Sequence, residues 1–349
     1  MNSKISIIAS STSWIESSAI DQMEALARLK GVEYIIGLPD LHPGRGIPIG
    51  AVCITKDIIY PHIIGNDIGC GMSLFKTNIR SNKFSTNKIA DKLEKNIGNE
   101  NSGSIGGGNH FVEFLVVESI DDQMVEDTLI DTKSIYLLVH SGSRGYGNMI
   151  YNHYLREHNA QHGFETESKL YKNYLKDHDN ACEKASENRN NIAIDICHNS
   201  GINLEEKPVI ESIHNYVEML TIDNREYIIH RKGASSALCN YAVIPGSRGD
   251  FSHIVKPVNA GVKSGFSLPH GAGRKWNRNQ CKDRLLNKYT KESIKRTKLG
   301  SRVVSANSDI LFEEAPEAYK KIAEVIGDME KAELLQKYVT LRPLITYKA

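Results

Sequence analysis

No apolar run in the sequence approaches the roughly 20 residues that a membrane-spanning helix requires, so a transmembrane helix is excluded. The opening stretch MNSKISIIASSTSW turns polar too soon for a secretory leader, and a cytoplasmic location is the expectation. Cysteine is sparse. The six, at 53, 70, 182, 197, 239 and 281, follow no framework spacing and are read as free thiols in a reducing compartment. An excess of either charge is also lacking: 43 Lys and Arg against 42 Asp and Glu leave +1, which by itself argues neither for nor against nucleic acid. Neither a Walker A sequence nor a dinucleotide fingerprint occurs, which disfavours P-loop and Rossmann chemistry. No low-complexity linker divides the chain.

What remains is a soluble, globular composition, 40% hydrophobic and 24% charged over 349 residues, enough to bury a substantial core. The first half is punctuated by glycine and strand-like: VEYIIGLPDLHPG, GIPIGAVCITKDIIYPHIIG, GMSLFKTNI, NHFVEFLVVESI and IYLLVHSG. Residues 146–220 change to Glu, Lys, Asn and Ala and predict two or three helices, one of them around NLEEKPVIESIHNYVEML. Strands resume at REYIIHRKGA and NYAVIPGSRGDFSHIV, and a last helix is expected at APEAYKKIAEVIGDMEKAELL, opened by its proline. The economical reading is one α+β domain over residues 1–349 with a helical insertion at about 146–220.

Chemistry concentrates in short glycine-bearing segments. In IGNDIGCGMS, residues 64–73, Asp67 and Cys70 stand among glycines at 65, 69 and 71. His110 follows three glycines and an asparagine at the mouth of a strand, His140 ends an apolar strand before a Ser-Gly-Ser turn, and His214 lies in IHNYVE. Together these offer a carboxylate, a thiolate and three imidazoles, enough for two adjacent divalent ions with Cys70 bridging them. On this reading the flanking glycines let two ions crowd the sulfur, and the mixed O, N and S set suits a borderline transition metal. His153, His158, His162 and His178 lie in the polar helical region and are read as ordinary surface or core residues. The loops GGGNHF and PGSRG present bare backbone N–H groups suited to phosphate oxygens, although the same sequences serve equally as tight turns. In PHGAGRK, His270 stands open to a ligand as a candidate nucleophile, with Arg274 and Lys275 placed to offset phosphate charge. Residues 274–302 carry eleven Lys or Arg and two acidic residues, a segment fit for a phosphate backbone or for a merely solvated helical face.

As a set, GLPDLHPGRGIPIGAV, GNDIGCGM, GGGNHFVE, VHSGSRG, HNYVE, HRKGA, PGSRG, HGAGR and EEAPEAYK resemble the RtcB family of RNA ligases, in the family's order and over nearly the whole chain to LRPLITYKA. The resemblance implies an RtcB-like α+β fold with two Mn²⁺ ions: Asp67, Cys70 and His110 would hold one, and Cys70, His140 and His214 the other. It implies a GTP site at Asn109, His110, Phe111, Val112, Glu113, His214, Asn215, Pro245, Gly246, Ser247, Arg248, Ser252, His270, Gly271, Ala272, Gly273 and Lys348, with His270 taking GMP as a phosphoramidate. The implied reaction joins RNA ends bearing a 2′,3′-cyclic phosphate or 3′-phosphate to a 5′-hydroxyl, with GTP and RNA as partners and an accessory activating protein as a further one.

The chain departs from that pattern in being short, and in PGSRGDFSHIV, where Arg248 replaces a methionine usual in the family. These departures suggest a divergent branch serving RNA repair rather than tRNA splicing. The competing expectations are a metal-dependent phosphoesterase that opens cyclic ends without sealing, and an RNA-binding protein that has lost catalysis. The loop around His270 separates the first from a ligase, and the intact metal and nucleophile positions weigh against the second.

Overall fold

The β-branched and aromatic runs become strands, and the chain sorts most of them into two sheets. The computed structural model describes residues 4–98, 103–121 and 129–348. In the larger sheet the order is Ala242–Ile244, Ser252–Pro257, Leu335–Lys348, Phe111–Ile120, Ser134–Ser141, Gly71–Arg80 and Leu204–Ile213, with neighbours antiparallel. Arg302–Ser305 joins it in parallel with Leu335–Lys348. The second sheet orders Ile5–Ile7, Val32–His42, Ile49–Thr55, Arg225–Lys232 and Asn215–Ile222. The fold is therefore mixed α+β, as the sequence implied.

The helix expected around residues 203–220 is not formed. That segment is two strands, Leu204–Ile213 in the larger sheet and Asn215–Ile222 in the second, and His214 is the residue between them. Its Glu and Lys content suits a helix, but Pro208 and the β-branched residues do not, and cross-strand pairing decides. Pro208 sits opposite Phe75 beside register shifts in the last strand of the sheet order, where a missing ladder donor is tolerated. Asp223 and Asn224, with φ of 49° and 60°, make the two-residue turn that closes the hairpin to Arg225–Lys232.

The helical part of the insertion is thus Gly145–Glu157 and Lys169–Ser200. The long helix starts at Ser168, whose Oγ accepts the Tyr171 N–H at 3.1 Å, and stops at Gly201 in the left-handed region. Buried Tyr174, His178, Ala181, Ala185, Arg189, Ile192 and Ile196 recur every three or four residues, laying one face on Ser134–Ser141 and Gly71–Arg80. Ile192 and Ile196 join Phe75, Phe114, Leu137, Val139 and Tyr347 in one apolar cluster, where each fully buried side chain contributes about 1.5–3 kcal/mol. The C-terminal helix spans Ile322–Lys331. Pro316 does not open it but begins a separate 3₁₀ turn, Pro316–Ala318. All six cysteines are free. Among the described residues no helix is long and apolar enough to cross a membrane.

Candidate active site

Antiparallel pairing brings the metal candidates to one end of the larger sheet. His110 precedes the strand Phe111–Ile120, His140 is next to last in Ser134–Ser141, Cys70 precedes Gly71–Arg80, and His214 follows Leu204–Ile213. The pairs Phe111 with His140, Gly71 with Ser141, and Gly71 with Ile213 align these strand ends. Cys70 Sγ lies 3.3 Å from both His110 Nε2 and His140 Nε2, and His140 Nε2 lies 3.2 Å from His214 Nε2. His110 Nε2 is 2.9 Å from Asp67 Oδ2. Two donor sets result, Asp67–Cys70–His110 and Cys70–His140–His214, each with its ligand atoms within 4.8 Å and sharing the Cys70 sulfur.

The donor chemistry fits a metal ion. Atoms bound to one ion at about 2.0–2.3 Å lie roughly 3–4 Å apart, which is the spacing seen here. Burial lowers the pKa of His140 and His214 well below the ordinary imidazole value, so both rings are neutral and able to offer a lone pair. His140 Nδ1 donates to the Asn109 carbonyl at 3.1 Å, which leaves Nε2 for the cluster. Burial, then the neighbouring Asp67 charge, raises the Cys70 thiol well above its usual pKa. A divalent cation held at the sulfur would oppose that and favour the thiolate. A third donor group, His153, Glu157 and His158, lies at the C-terminal end of the surface helix Gly145–Glu157, away from these strands.

Gly69 and Gly71 beside Cys70 are required by close packing. A Cβ on Gly69 would come within 2.8 Å of Ala185 Cβ and Cys182 Cα of the long helix, and one on Gly71 within 2.7 Å of the Ser212 carbonyl. They let helix and neighbouring strand close on Cys70. In the loop GGGNH, likewise, the Cβ positions of Gly106 and Gly108 are filled by the guanidinium groups of Arg144 and Arg278.

His270 follows the short strand Ser267–Pro269 and lies against the cluster, its ring 5.0 Å from that of His214. Its Nδ1 donates to Asp40 Oδ2 at 2.6 Å, and its backbone N–H donates to the same oxygen at 3.1 Å. His42 stacks on it at 6.3 Å. Asp40 is fully buried, and Lys320 Nζ donates to the carbonyls of Pro39 and Leu41 on either side of it, at 2.8 and 2.9 Å. Nε2 of His270 is thereby left free of Asp40.

A cleft of about 1210 Å³ opens beside these residues. Of the residues proposed from sequence for GTP, Asn109, Phe111, Glu113, Pro245, Gly246, Ser247, Arg248, His270, Gly271, Ala272, Gly273 and Lys348 line it. Three do not. Val112 points into the core, Ser252 is buried in its strand, and Asn215 is engaged with the Asp67 carbonyl at 3.3 Å and the Gly233 N–H at 2.9 Å. His110 and His214 belong to the donor cluster rather than the cleft wall. At one end of the cleft, burial pushes the Glu113 carboxyl up to about 8 despite the hydroxyl of Thr346 and the charge of Lys348. Glu314 is the opposite case. Burial raises its pKa, but Lys348, Arg274 and Arg278 outweigh that and hold it at about 2.

Asp40, His42, Arg144, Tyr319 and Glu314 were not singled out from sequence. All lie in quoted motifs, Asp40 and His42 as polar residues near the end of an otherwise apolar strand, and that interruption was the available signal. The basic segment is weaker than its composition. Arg274 is bound to Glu314 at 3.0 Å rather than free for phosphate, Lys282 to Asp309, Lys288 to Glu317, and Arg302 to Asp91 and Glu94. Lys275, Arg284, Lys291, Lys295, Arg296 and Lys298 form no ion pair among the described residues, and Lys275 and Trp276 line the cleft.

A family model described as tRNA-splicing ligase RtcB matches residues 22–100 and 94–349. The RNA-splicing ligase RtcB2 of Escherichia coli is 41% identical, the alignment covering 98% of this chain and 94% of that protein. The RNA-splicing ligase RtcB of Escherichia coli strain K12 is 27% identical over 96% and 95%, and the tRNA-splicing ligase RtcB of Nanoarchaeum equitans 26% identical over 91% and 89%. With a family match over most of the chain and a relative at 41% identity along nearly all of it, the chain belongs to the RtcB family of RNA ligases.

Proposed function

We propose that the protein joins RNA ends bearing a 3′-phosphate or 2′,3′-cyclic phosphate to 5′-hydroxyl ends, using GTP and a GMP-carrying His270, in RNA repair or tRNA splicing. The observation that carries this reading is His270 itself. It is held by a buried aspartate at 2.6 Å, faces the donor cluster, and lies in a cleft large enough for a nucleotide. A phosphoesterase without sealing would have no use for an oriented nucleophile there.

Asp40 keeps the Nδ1 proton of His270 in place, so Nε2 presents its lone pair to the α-phosphorus of GTP. The new P–N bond replaces the bond to the β-phosphate oxygen, and pyrophosphate leaves. As positive charge grows on the imidazole, the Asp40 carboxylate stabilises it. A 2′,3′-cyclic end is first opened by water, which breaks the bond from phosphorus to the 2′-oxygen; an oxygen of the resulting 3′-phosphate then takes GMP from His270, breaking the P–N bond. The RNA 5′-hydroxyl finally attacks the activated 3′-phosphorus and expels GMP. Asp67, Cys70, His110, His140 and His214 would hold two Mn²⁺ ions, which neutralise phosphate charge and acidify the attacking hydroxyl. Pro245 to Ser247, Gly271 to Gly273, Asn109, Phe111, Glu113 and Lys348 would contact the nucleotide, and Lys275 and Trp276 the RNA. A cytoplasmic site of action and an accessory activating protein complete the proposal.

The test is incubation with α-labelled GTP and Mn²⁺ followed by a denaturing gel. Wild-type protein should retain acid-labile, base-stable label, Asp40→Asn should label more slowly, and folded His270→Ala should retain none. Label persisting on His270→Ala would sink the assignment, as would sealing of 3′-hydroxyl and 5′-phosphate ends.

A further inference from the structure

The helix Gly145–Glu157 ends on three metal-capable side chains that the Cys70 cluster does not use. His153 and Glu157 are four residues apart and share one face of the helix, with His153 Nδ1 3.0 Å from Glu157 Oε2. His158 would leave that face if the helix ran on, because five residues carry a side chain about 140° around the axis. The helix stops instead. His158 takes φ of −126° and ψ of 9°, and Asn159 follows in the left-handed region at φ 53°. That break sets the His158 ring 5.0 Å from the ring of His153 and at 87° to it. The three ligand atoms lie within 4.8 Å of one another.

The position suits a cation. The last carbonyls of a helix carry partial negative charge, and Glu157, its last residue, adds a carboxylate; a cation held there offsets both. Donors on one ion at about 2.0–2.2 Å stand roughly 3–4 Å apart. With side chains 45% exposed at His153 and 65% at Glu157, the donors are free to draw in to that spacing. Two imidazoles and a carboxylate leave coordination positions open. His153 and Glu157 help to wall a groove of about 450 Å³ with Asn152, Arg156 and Asp177, which gives those positions room. Imidazole donors suit Zn²⁺, whereas Mn²⁺ stands at the weak end of the divalent order.

We propose that His153, Glu157 and His158 form a Zn²⁺ site, separate from the Cys70 cluster, that clamps the end of this helix. Tyr151 and Leu155, two residues back from His153 and Glu157 and so on the opposite face, line the main cleft. A clamp at the helix end therefore steadies part of the cleft wall without touching the reacting groups.

The test is equilibrium dialysis of the untagged, Mn²⁺-loaded full chain against micromolar Zn²⁺, with both metals read by elemental analysis. Wild type should bind one equivalent of Zn²⁺ more than His153→Ala or His158→Ala, with equal Mn²⁺ in all three. Glu157→Gln should bind that equivalent at least about tenfold more weakly, since losing a direct ligand costs no less than losing the group that supports one. Equal Zn²⁺ in wild type and the three variants would overturn the proposal. So would loss in one histidine variant but not the other, which is how adventitious metal on a single imidazole behaves. Mn²⁺ lost together with the Zn²⁺ equivalent would move the ion to the Cys70 cluster and overturn it as well. If His153→Ala does not fold, His158→Ala and Glu157→Gln decide. None of these outcomes bears on the joining of RNA ends, which rests on His270.

Discussion

Replacing Arg189 with methionine removes a fully buried cation that ties two ligand-bearing strands together. Its Nε donates to Ser73 Oγ at 2.8 Å, its Nη1 to the carbonyls of Gly69 at 2.9 Å and Ser141 at 3.1 Å, and its Nη2 to Glu211 at 2.6 Å. Gly69 precedes Cys70 and Ser141 follows His140, so this guanidinium sets the backbone from which both side chains project. Breaking a buried ion pair by deleting one partner costs about 3–5 kcal/mol, and stranding a buried carbonyl adds about 1 kcal/mol. The Glu211 side chain is 33% exposed, and water there recovers part of its loss. The expected destabilisation is therefore about 3–4 kcal/mol, read from urea denaturation of the metal-free protein at pH 7. Metal affinity, read by competition with a chelating dye, should fall at least about tenfold because Cys70 and His140 lose their common anchor. Arg189→Met with Glu211→Leu should recover part of the loss, since it strands no charge and leaves only the Ser73 hydroxyl and the Gly69 and Ser141 carbonyls without their donor. A loss under about 1 kcal/mol with unaltered metal affinity would refute the reasoning.

Cys70→Ser should lower metal content at both sites together, because a serine hydroxyl stays protonated where a thiolate bridges; two ions at normal occupancy in elemental analysis would exclude the shared sulfur. Glu314 gives a pH signature. Its carboxyl lies at about 2 in the fold against 4.5 for the free group, so the folded state prefers the ionised form. That contribution, about 3 kcal/mol, is complete above pH ~5 and is lost as pH falls from ~4.5 through ~2. Urea midpoints of wild type and Glu314→Gln should accordingly converge with acidification over that window, and parallel curves would show that Glu314 is not held by its cations.

The parts of the site that sequence could place are those whose chemistry is declared within a few residues. Cys70, His110 and His140 each stand where an apolar strand meets a glycine turn, and that junction is local. His214 is legible by residue type while its surroundings read as a helix, because Glu, Lys and Leu between 203 and 220 satisfy helical propensity nearly as well as strand propensity. What settles the matter is pairing with Gly71–Arg80 and Arg225–Lys232, contacts that no window of the sequence contains. Asp40 and His270 are separated by 230 residues, and Arg189 reaches Gly69 across 120. Such partners are invisible until the strands are assembled. The same distance explains Arg274. Beside His270 it looked ready for phosphate, but folding brings Glu314, 40 residues away, to within 3.0 Å and spends that charge. Arg248 is the converse: its partners among the described residues are two carbonyls that leave two nitrogens free, and that surplus is visible only because every nearer acceptor can be counted in three dimensions.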